Sequence, residues 1–242
     1  EKAVYDRVRA LVRRLAPDLP HNETFIVNTY REIMSGALAL EGGLRVAYLG
    51  PEGSFSGEAA RNRFGALVQG ISVGSIAEVF RSVETGRADY GIVPVENSLR
   101  GSIVPTMDQF LLSDLIIYAE HYEKIRLHLL TRRGDTAPVK KLYSMREARE
   151  QCMLWLQQNL NVAALEMREV ESTARAAQIL SEEGADGSAA IASAAAASIY
   201  DLAIRQTDIQ DSGNNCTRFV IVGNHQAQIS GEDRTSMIVG LH

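Results

Sequence analysis

Ala88-Asp89-Tyr90-Gly91-Ile92-Val93-Pro94-Val95-Glu96-Asn97-Ser98-Leu99-Arg100-Gly101-Ser102 changes character halfway along. From Tyr90 to Val95 it is apolar, the pattern of a strand buried on both faces of a parallel sheet. It then turns polar, with a carboxylate, an amide, hydroxyls and a glycine, before a helix-like run from Pro105 to Leu112. In open α/β sheets ligands bind outside the carboxyl ends of the strands, so Glu96, Asn97 and Ser98 stand where a ligand would be met. A polar loop with a helix cap would use the same residues without any ligand. A second stretch, Asn214-Asn215-Cys216-Thr217-Arg218-Phe219-Val220-Ile221-Val222, joins polar to apolar residues in the same way and favours a site.

Outward from this strand the chain alternates. Arg45 to Leu49 is a short apolar strand, followed by Gly50-Pro51-Glu52-Gly53-Ser54-Phe55-Ser56 and a helix from about Gly57 to Phe64. A glycine turn with hydroxyls before a helix start either cradles an anion on the unpaired first-turn N–H groups or is a plain serine cap. It is not a GxGxxG fingerprint, and no GK[ST] phosphate loop occurs. Helices are expected over Ser75–Gly86, Glu147–Leu160, Ser172–Glu183 and Ala194–Leu202, and strands over Ala164–Val170, Ala189–Ala192 and Arg218–Val222. Leu115 to Thr131 reads as one or two strands. This is an α/β chain with a largely parallel sheet. The long strand region and the late return at 203–224 suit two lobes, 45–118 plus 203–225 and 119–202, with a cleft between them.

Residues 1–44 differ. Val4, Val8, Leu11, Val12 and Leu15 form one helical stripe and Ile26, Tyr30, Ile33 and Ala37 another, with Pro17 and Pro20 between them and Gly42-Gly43 as a stop. The expected αα-hairpin buries little by itself and needs the main domain or a second copy to cover it.

The chain has 242 residues, 45% of them hydrophobic and 23% charged, with a net charge of −5. No basic stripe points to nucleic acid, and no apolar run approaches the roughly 18 residues of a membrane span. Cys152 and Cys216 belong to no CxxC or Cys/His cluster and read as separate thiols rather than a disulfide or metal site. With no secretory signal in view, a cytoplasmic enzyme or binding module is the expectation. The chain begins at Glu1 rather than Met and is read as a fragment.

Four motifs in order, Gly50-Pro51-Glu52-Gly53-Ser54-Phe55-Ser56, Val93-Pro94-Val95-Glu96-Asn97-Ser98 with Gly101-Ser102, Glu171-Ser172-Thr173-Ala174, and Thr217-Arg218-Phe219, resemble the prephenate dehydratase family across residues 45–225. The resemblance implies a two-lobed fold of the type II periplasmic-binding-protein kind. It also implies decarboxylating dehydration of prephenate to phenylpyruvate, without cofactor or metal, in a homodimer. Thr217 matches the residue that helps the ring hydroxyl leave, as hydrogen-bond donor or proton relay. Ser54, Phe55, Ser56, Ser172 and Thr173 are the implied carboxylate binders, and Asn97, Ser98 and Ser102 donors from the first lobe. Ser144 and Gln151 match positions lining the second lobe. Arg218 either pairs with a substrate carboxylate or is a structural ion pair, since its strand neighbour Thr217 points to the opposite face. An unpaired Glu96 would repel a dianion, so it either pairs with an Arg or holds a loop, and its role stays open. Met145 stands where the family commonly has His, and His128 reads equally as core, surface or site.

The flanks resemble accessory domains of that family. Residues 1–43 look like the last two helices of an all-helical chorismate mutase domain, with Glu41 at a matching position and Ala37 where Ser is common. Residues 234–242 look like the first strand of an ACT regulatory domain. Arogenate dehydration is the nearest alternative activity, and a non-catalytic solute-binding module is the alternative of a different class.

Overall fold

In the computed structural model, residues 2–15, 22–227, 229, 231 and 233–237 are described. Two sheets carry the fold. The first runs β2 (Gln69–Val73), β1 (Arg45–Leu49), β3 (Tyr90–Asn97), β11 (Cys216–Gly223), β5 (Ile116–Lys124), with the short β4 (Gly101–Ser102) on the end of β3. The second runs β10 (Leu202–Gln206), β6 (His128–Arg132), β9 (Ser188–Ala192), β7 (Lys141–Ser144), β8 (Glu166–Glu169).

Both sheets are mixed rather than largely parallel. β1 is parallel to β2 and β3, and β7 is parallel to β8 and β9. β11 is antiparallel to β3 and β5, and β6 to β9 and β10. A parallel neighbour needs a crossover, usually a helix; β5, β6, β10 and β11 are the strands that carry the chain between lobes, and no helix separates β5 from β6 or β10 from β11. The chain leaves the first sheet after Lys124 and returns to it at Cys216, so all of β5 lies in the first lobe and all of β10 in the second. Periodicity gave no sign of this division, because Ile116 to Arg132 is one β-rich run. The two linkers lie side by side: the Ile125 N–H donates to the Asn215 carbonyl (2.9 Å) and the Ile209 N–H to the Leu127 carbonyl (2.8 Å).

Helices α3 (Phe55–Phe64) and α4 (Ile76–Glu84) with α5 (Val104–Leu112) cover opposite faces of the first sheet. β11 shows the alternation of a strand buried on both sides. Phe219 and Ile221 pack with Ala59, Ala60 and Phe64 of α3, whereas Val220 and Val222 pack with Val79, Phe80 and Val83 of α4. Gly91 permits the close approach of α4, since a Cβ there would meet Val79 Cγ1 at 2.7 Å.

In the second lobe, the helix expected over 147–160 is two, α6 (Arg146–Glu150) and α7 (Met153–Asn159). The break is tertiary in origin. The Asp211 carboxylate accepts from the Leu154 and Trp155 N–H groups (3.2 and 3.3 Å), giving α7 its own N-terminal cap. Helices α8 (Thr173–Glu183) and α9 (Ala194–Ile199) follow β8 and β9, with Ser172 and Ser193 as caps. Ala190, Ala192, Ala196 and Ala197 are buried between them and the sheet, whereas Ala194 is exposed.

Ahead of these lobes, α1 (Lys2–Leu15) and α2 (Asn22–Leu40) pack on one another; the expected turn residues Pro17 and Pro20 lie outside the described residues. The α2 helix is fastened to the first lobe by Arg31 Nη1 on the Asn62 carbonyl (2.7 Å), and by the Ala66 and Leu67 N–H groups on Glu32 and Ser35. Of the strand expected over 234–242, Arg234 to Met237 carry no strand and the rest lies outside the described residues.

Candidate active site

Each sheet ends its parallel strands at the cleft. On the first lobe that edge holds Asn97 at the end of β3, Thr217 at the start of antiparallel β11, and Glu123 near the end of β5, with Thr217 the register partner of both others. Thr217 is buried. The Asn97 amide donates to Thr217 Oγ1 at 2.9 Å and to Asn215 Oδ1 at 2.8 Å. The orientation of this amide is settled by its oxygen, which accepts from the Leu99 N–H at 3.0 Å. Because Asn97 is the donor, the Thr217 hydroxyl keeps its own proton to give. Asn215, also buried, passes the chain on: its amide donates to Gln151 Oε1 at 2.7 Å, across to the second lobe.

Further joins hold the lobes together. The Gly50–Ser56 loop, entered through a cis Gly50–Pro51 bond, leans on the start of α9. Ser193 Oγ donates to the Gly53 carbonyl (3.2 Å), and the Tyr200 hydroxyl to the Glu52 carbonyl (2.8 Å). Gly53 has φ +80°, and a Cβ there would lie 3.0 Å from Ala196 Cα, so both conformation and closeness demand glycine. Phe55 packs against the second lobe's core. At another point Arg100 reaches Glu150 (3.1 Å) and Glu147 (3.7 Å) of α6.

The structure sorts the expected residues by what their polar atoms already do. Ser54 is fully engaged: its hydroxyl donates to the Leu49 carbonyl (2.8 Å) and accepts from the Gly57 N–H (3.3 Å). The first-turn N–H groups of Phe55 and Ser56 point out of the helix end. Ser98 is engaged with the opposite loop, donating to the Asn214 carbonyl and accepting from the Cys216 N–H, both at 3.0 Å. Ser102 is exposed on β4, opposite Glu96. Ser144 is buried at the end of β7 and donates to the Met145 carbonyl (2.9 Å). Ser172 caps α8 through the Arg175 N–H (3.1 Å), and Thr173 is its buried first residue. Gln151 ends α6 and receives Asn215.

Arg218 is the expected residue that lies apart. It sits on the face of β11 opposite Thr217, with Nη2 on Glu120 Oε1 (2.8 Å) and Nη1 3.6 Å from Glu96 Oε2. That pairing also gives Glu96 its place, as a strand partner to a cation. Met145 packs into the second lobe's core, and His128 is buried there with Nδ1 accepting the Asp208 N–H (3.0 Å). Burial holds His128 below the ordinary histidine value, against the opposing pull of Asp208. Burial, with Asp211 nearby, pushes the Cys152 thiol up to about 12.

Four residues escaped the sequence reading as site residues: Asn215, Ser193, Glu58 and Glu123. Asn215 stood in the quoted 214–222 stretch, two residues from Thr217, so a signal existed. Ser193 and Glu58 gave none, because a serine before an alanine run and a glutamate in a first helical turn read as a cap and a solvated charge. The Oε2 atom of Glu58 is buried and without a hydrogen-bond partner among the described residues. Burial first, and the Glu123 carboxylate second, push its carboxyl up to about 7. Glu123 Oε2 in turn meets Asn62 Nδ2 and His121 Nε2, each at 2.9 Å. Among the described residues, no group of three or more His, Cys, Asp or Glu could hold a metal ion.

Amides, hydroxyls and the N-terminal ends of α3 and α8 stand at the facing edges of two α/β lobes, the place where open α/β folds hold their ligands. The prephenate dehydratase model matches residues 46–227, and the chain belongs to the prephenate dehydratase family. It is 40% identical over 241 residues to a bifunctional chorismate mutase/prephenate dehydratase of Aquifex aeolicus, covering 100% of this chain and 65% of that protein. The chain thus spans about 60–65% of the length of the first curated relatives it matches. A prephenate dehydratase from Arthrobacter aurescens, solved in complex with L-Phe, superposes with a TM-score of 0.69 at 28% identity, over 78% of this chain and 63% of that one. A quorum-quenching acylase superposes with a TM-score of 0.68 at 27% identity, over 77% and 66%. The expected two-lobed α/β architecture is the one observed. No described helix is long and apolar enough to cross a membrane.

Proposed function

We propose that this chain converts prephenate to phenylpyruvate, water and carbon dioxide, with Thr217 giving the hydrogen bond that carries off the ring hydroxyl. The observation that bears most weight is the Thr217 hydroxyl, oriented by Asn97 as an acceptor and left with a proton to donate. Helix N-termini and the exposed or first-turn donors of Phe55, Ser56, Ser102 and Thr173 favour the two carboxylates. Aromatisation drives the reaction, so positioning and one proton are what the protein must add. Arg218 serves this site as a structural ion pair.

The catalytic unit is assigned to 45–225. The 1–44 hairpin is assigned to the end of a mutase-type helical domain, supported by alignment of the bifunctional Aquifex relative over the whole chain, and residues 226–242 to the approach to a regulatory domain. A homodimer that covers exposed Leu11, Phe25 and Ile33 and a cytoplasmic setting complete the reading. The test is phenylpyruvate formation by the purified chain, with arogenate in parallel and with chelator present. Turnover of prephenate is expected. Turnover of arogenate alone, or binding of prephenate with no product, would overturn it.

A further inference from the structure

Prephenate enters the proposed reaction with two carboxylates, and phenylpyruvate leaves with one. The bond to the ring carboxylate breaks and its electron pair enters the ring; the C–O bond breaks and the oxygen takes that pair away. Carbon dioxide is neutral, so the departing oxygen must collect one proton to become water. Each turnover therefore consumes a proton. Thr217 can hand over its hydroxyl proton only if its oxygen is recharged, because a threonine alkoxide is far too basic to persist. Resting on the proposed function, the question is which group recharges it.

Among the described residues the geometry gives one answer. Glu123 is the strand partner of Thr217, and paired residues across two strands have Cβ atoms roughly 5 Å apart. Asn62 fixes Glu123 Oε2 from above while His121 fixes it from within the strand. Glu58 shares a face of α3 with Asn62, one helical turn on. Its carboxyl, whose Oε2 is buried and without a hydrogen-bond partner among the described residues, therefore lies on the side of the helix that meets Glu123. A buried carboxyl without a partner, on the side of a second carboxylate, favours its protonated form. We propose that the Glu58–Glu123 carboxyl pair is the proton reserve that recharges Thr217 in each turnover. Glu58 gives its proton through Glu123 to Thr217 Oγ1 as the hydroxyl leaves as water, and solvent restores it after product release.

The ionisable groups around the pair are few, and His121, which faces Phe219 across the strands, meets Thr217 only by way of Glu123. α3 packs on β1, β2, β3 and β5, and α2 meets its C-terminal turn through Arg31 on the Asn62 carbonyl, with Glu32 beside that arginine. The strands present Tyr48, Tyr90, Tyr118, His121 and Glu123 to α3, which adds Arg61 and Arg63. Arg218, Glu96 and Glu120 belong to the opposite face. The tyrosines are too weakly acidic to supply a proton repeatedly near neutrality, since a phenol titrates at about 10.

The experiment compares kcat and KM for prephenate from pH 5.5 to 9 in the intact chain and in Glu58→Gln and Glu58→Asp. Glutamine keeps the neutral, hydrogen-bonding shape of a protonated glutamate but has no proton to yield, so a merely structural Glu58 predicts a healthy Gln variant. The expected result is a wild-type kcat that falls as pH rises through about 7. Gln should lower kcat by on the order of 10², with KM within a few-fold and that pH dependence gone; Asp should restore part of both. A Gln variant with wild-type kcat and pH profile would overturn the proposal. So would an active wild type whose infrared spectrum at pH 6 lacks a neutral carboxyl band that Gln removes. A chain with that band that binds prephenate without turnover refutes the assigned reaction instead, and this role falls with it.

Discussion

Replacing Glu58 by glutamine should make the protein more stable, and only at the alkaline end. Unfolded, the carboxyl ionises at its ordinary value of 4.5; folded, burial and Glu123 hold it protonated to about 7. Between those values the native state binds the extra proton, so native stability falls as pH rises through this window and the full cost applies above it. A shift of about 2.5 units at 1.36 kcal/mol each is ~3 kcal/mol for a wholly shielded group. Glu58 keeps partial contact with solvent, and screening brings this to about 2 kcal/mol. Below pH 4.5 both states are protonated and the difference vanishes. Thermal melts of wild type and Glu58→Gln at pH 4.5 and 8 should give nearly equal Tm at the lower pH. At pH 8 the variant should melt roughly 4–8 °C higher, at about 2–4 °C per kcal/mol for a chain of this size. An offset that does not change with pH, or a variant less stable at pH 8, would refute the buried-acid reasoning. A residue whose replacement stabilises the fold while it slows turnover is one retained for function.

Thr217→Val should lower kcat by on the order of 10²–10⁴, at a stability cost of about 1–3 kcal/mol for the Asn97 donor it leaves without its acceptor, and Thr217→Ser should retain most activity; a fully active Val variant would remove the hydroxyl from the reaction. Gly53→Ala places a methyl 3.0 Å from Ala196 Cα at φ +80°, which should prop the lobes apart and weaken prephenate binding about tenfold, at a strain of roughly 1 kcal/mol; unchanged affinity by calorimetry would count against the Gly53–Ala196 contact as part of closure. Arg218→Met takes the nearer of two cations from Glu120, leaving Arg234 at 3.5 Å, and the partner from the exposed Glu96, which should cost about 1 kcal/mol of stability, with KM shifted less than threefold; a KM rise of a hundredfold in a stable variant would return Arg218 to the substrate.

What the sequence made legible was local and periodic. The buried strand at Tyr90, its polar end at Asn97, the serine cap before Phe55 and the helix starts near Ser172 and Ala194 are all short-range patterns, and the chain obeys them. The second register partner of Thr217 was not legible, because it depends on β5 pairing with β11 across almost a hundred residues. The split of 146–159 into two helices escaped for the same reason, since the cap on α7 comes from Asp211. Arg218 was half legible: alternation puts it opposite Thr217, but only the fold brings Glu120 to it. Glu58 was wholly illegible, as its environment is made by a helix crossing a sheet rather than by its neighbours in sequence.

The path from Gln151 through Asn215 and Asn97 to Thr217 joins the second lobe to the reacting hydroxyl by three amide donations of 2.7 to 2.9 Å. The Asn97 amide has two protons, and both are used, so the acceptor role of Thr217 Oγ1 depends on Asn215 holding Asn97 in place. Asn215 is in turn held by Gln151, which reaches it only when the lobes are together. The contact between the lobes at Gln151 therefore adds to the Leu99 N–H in holding the amide that orients the hydroxyl. A double-mutant cycle measures this directly. Asn215→Ala and Gln151→Ala should each lower kcat/KM, and the double variant should lose little more than either alone. The coupling should be about 1–2 kcal/mol, within the span seen for contacting residues. Two losses that simply add would mean that Gln151 meets the substrate on its own account, and that the amide chain does not carry closure to Thr217.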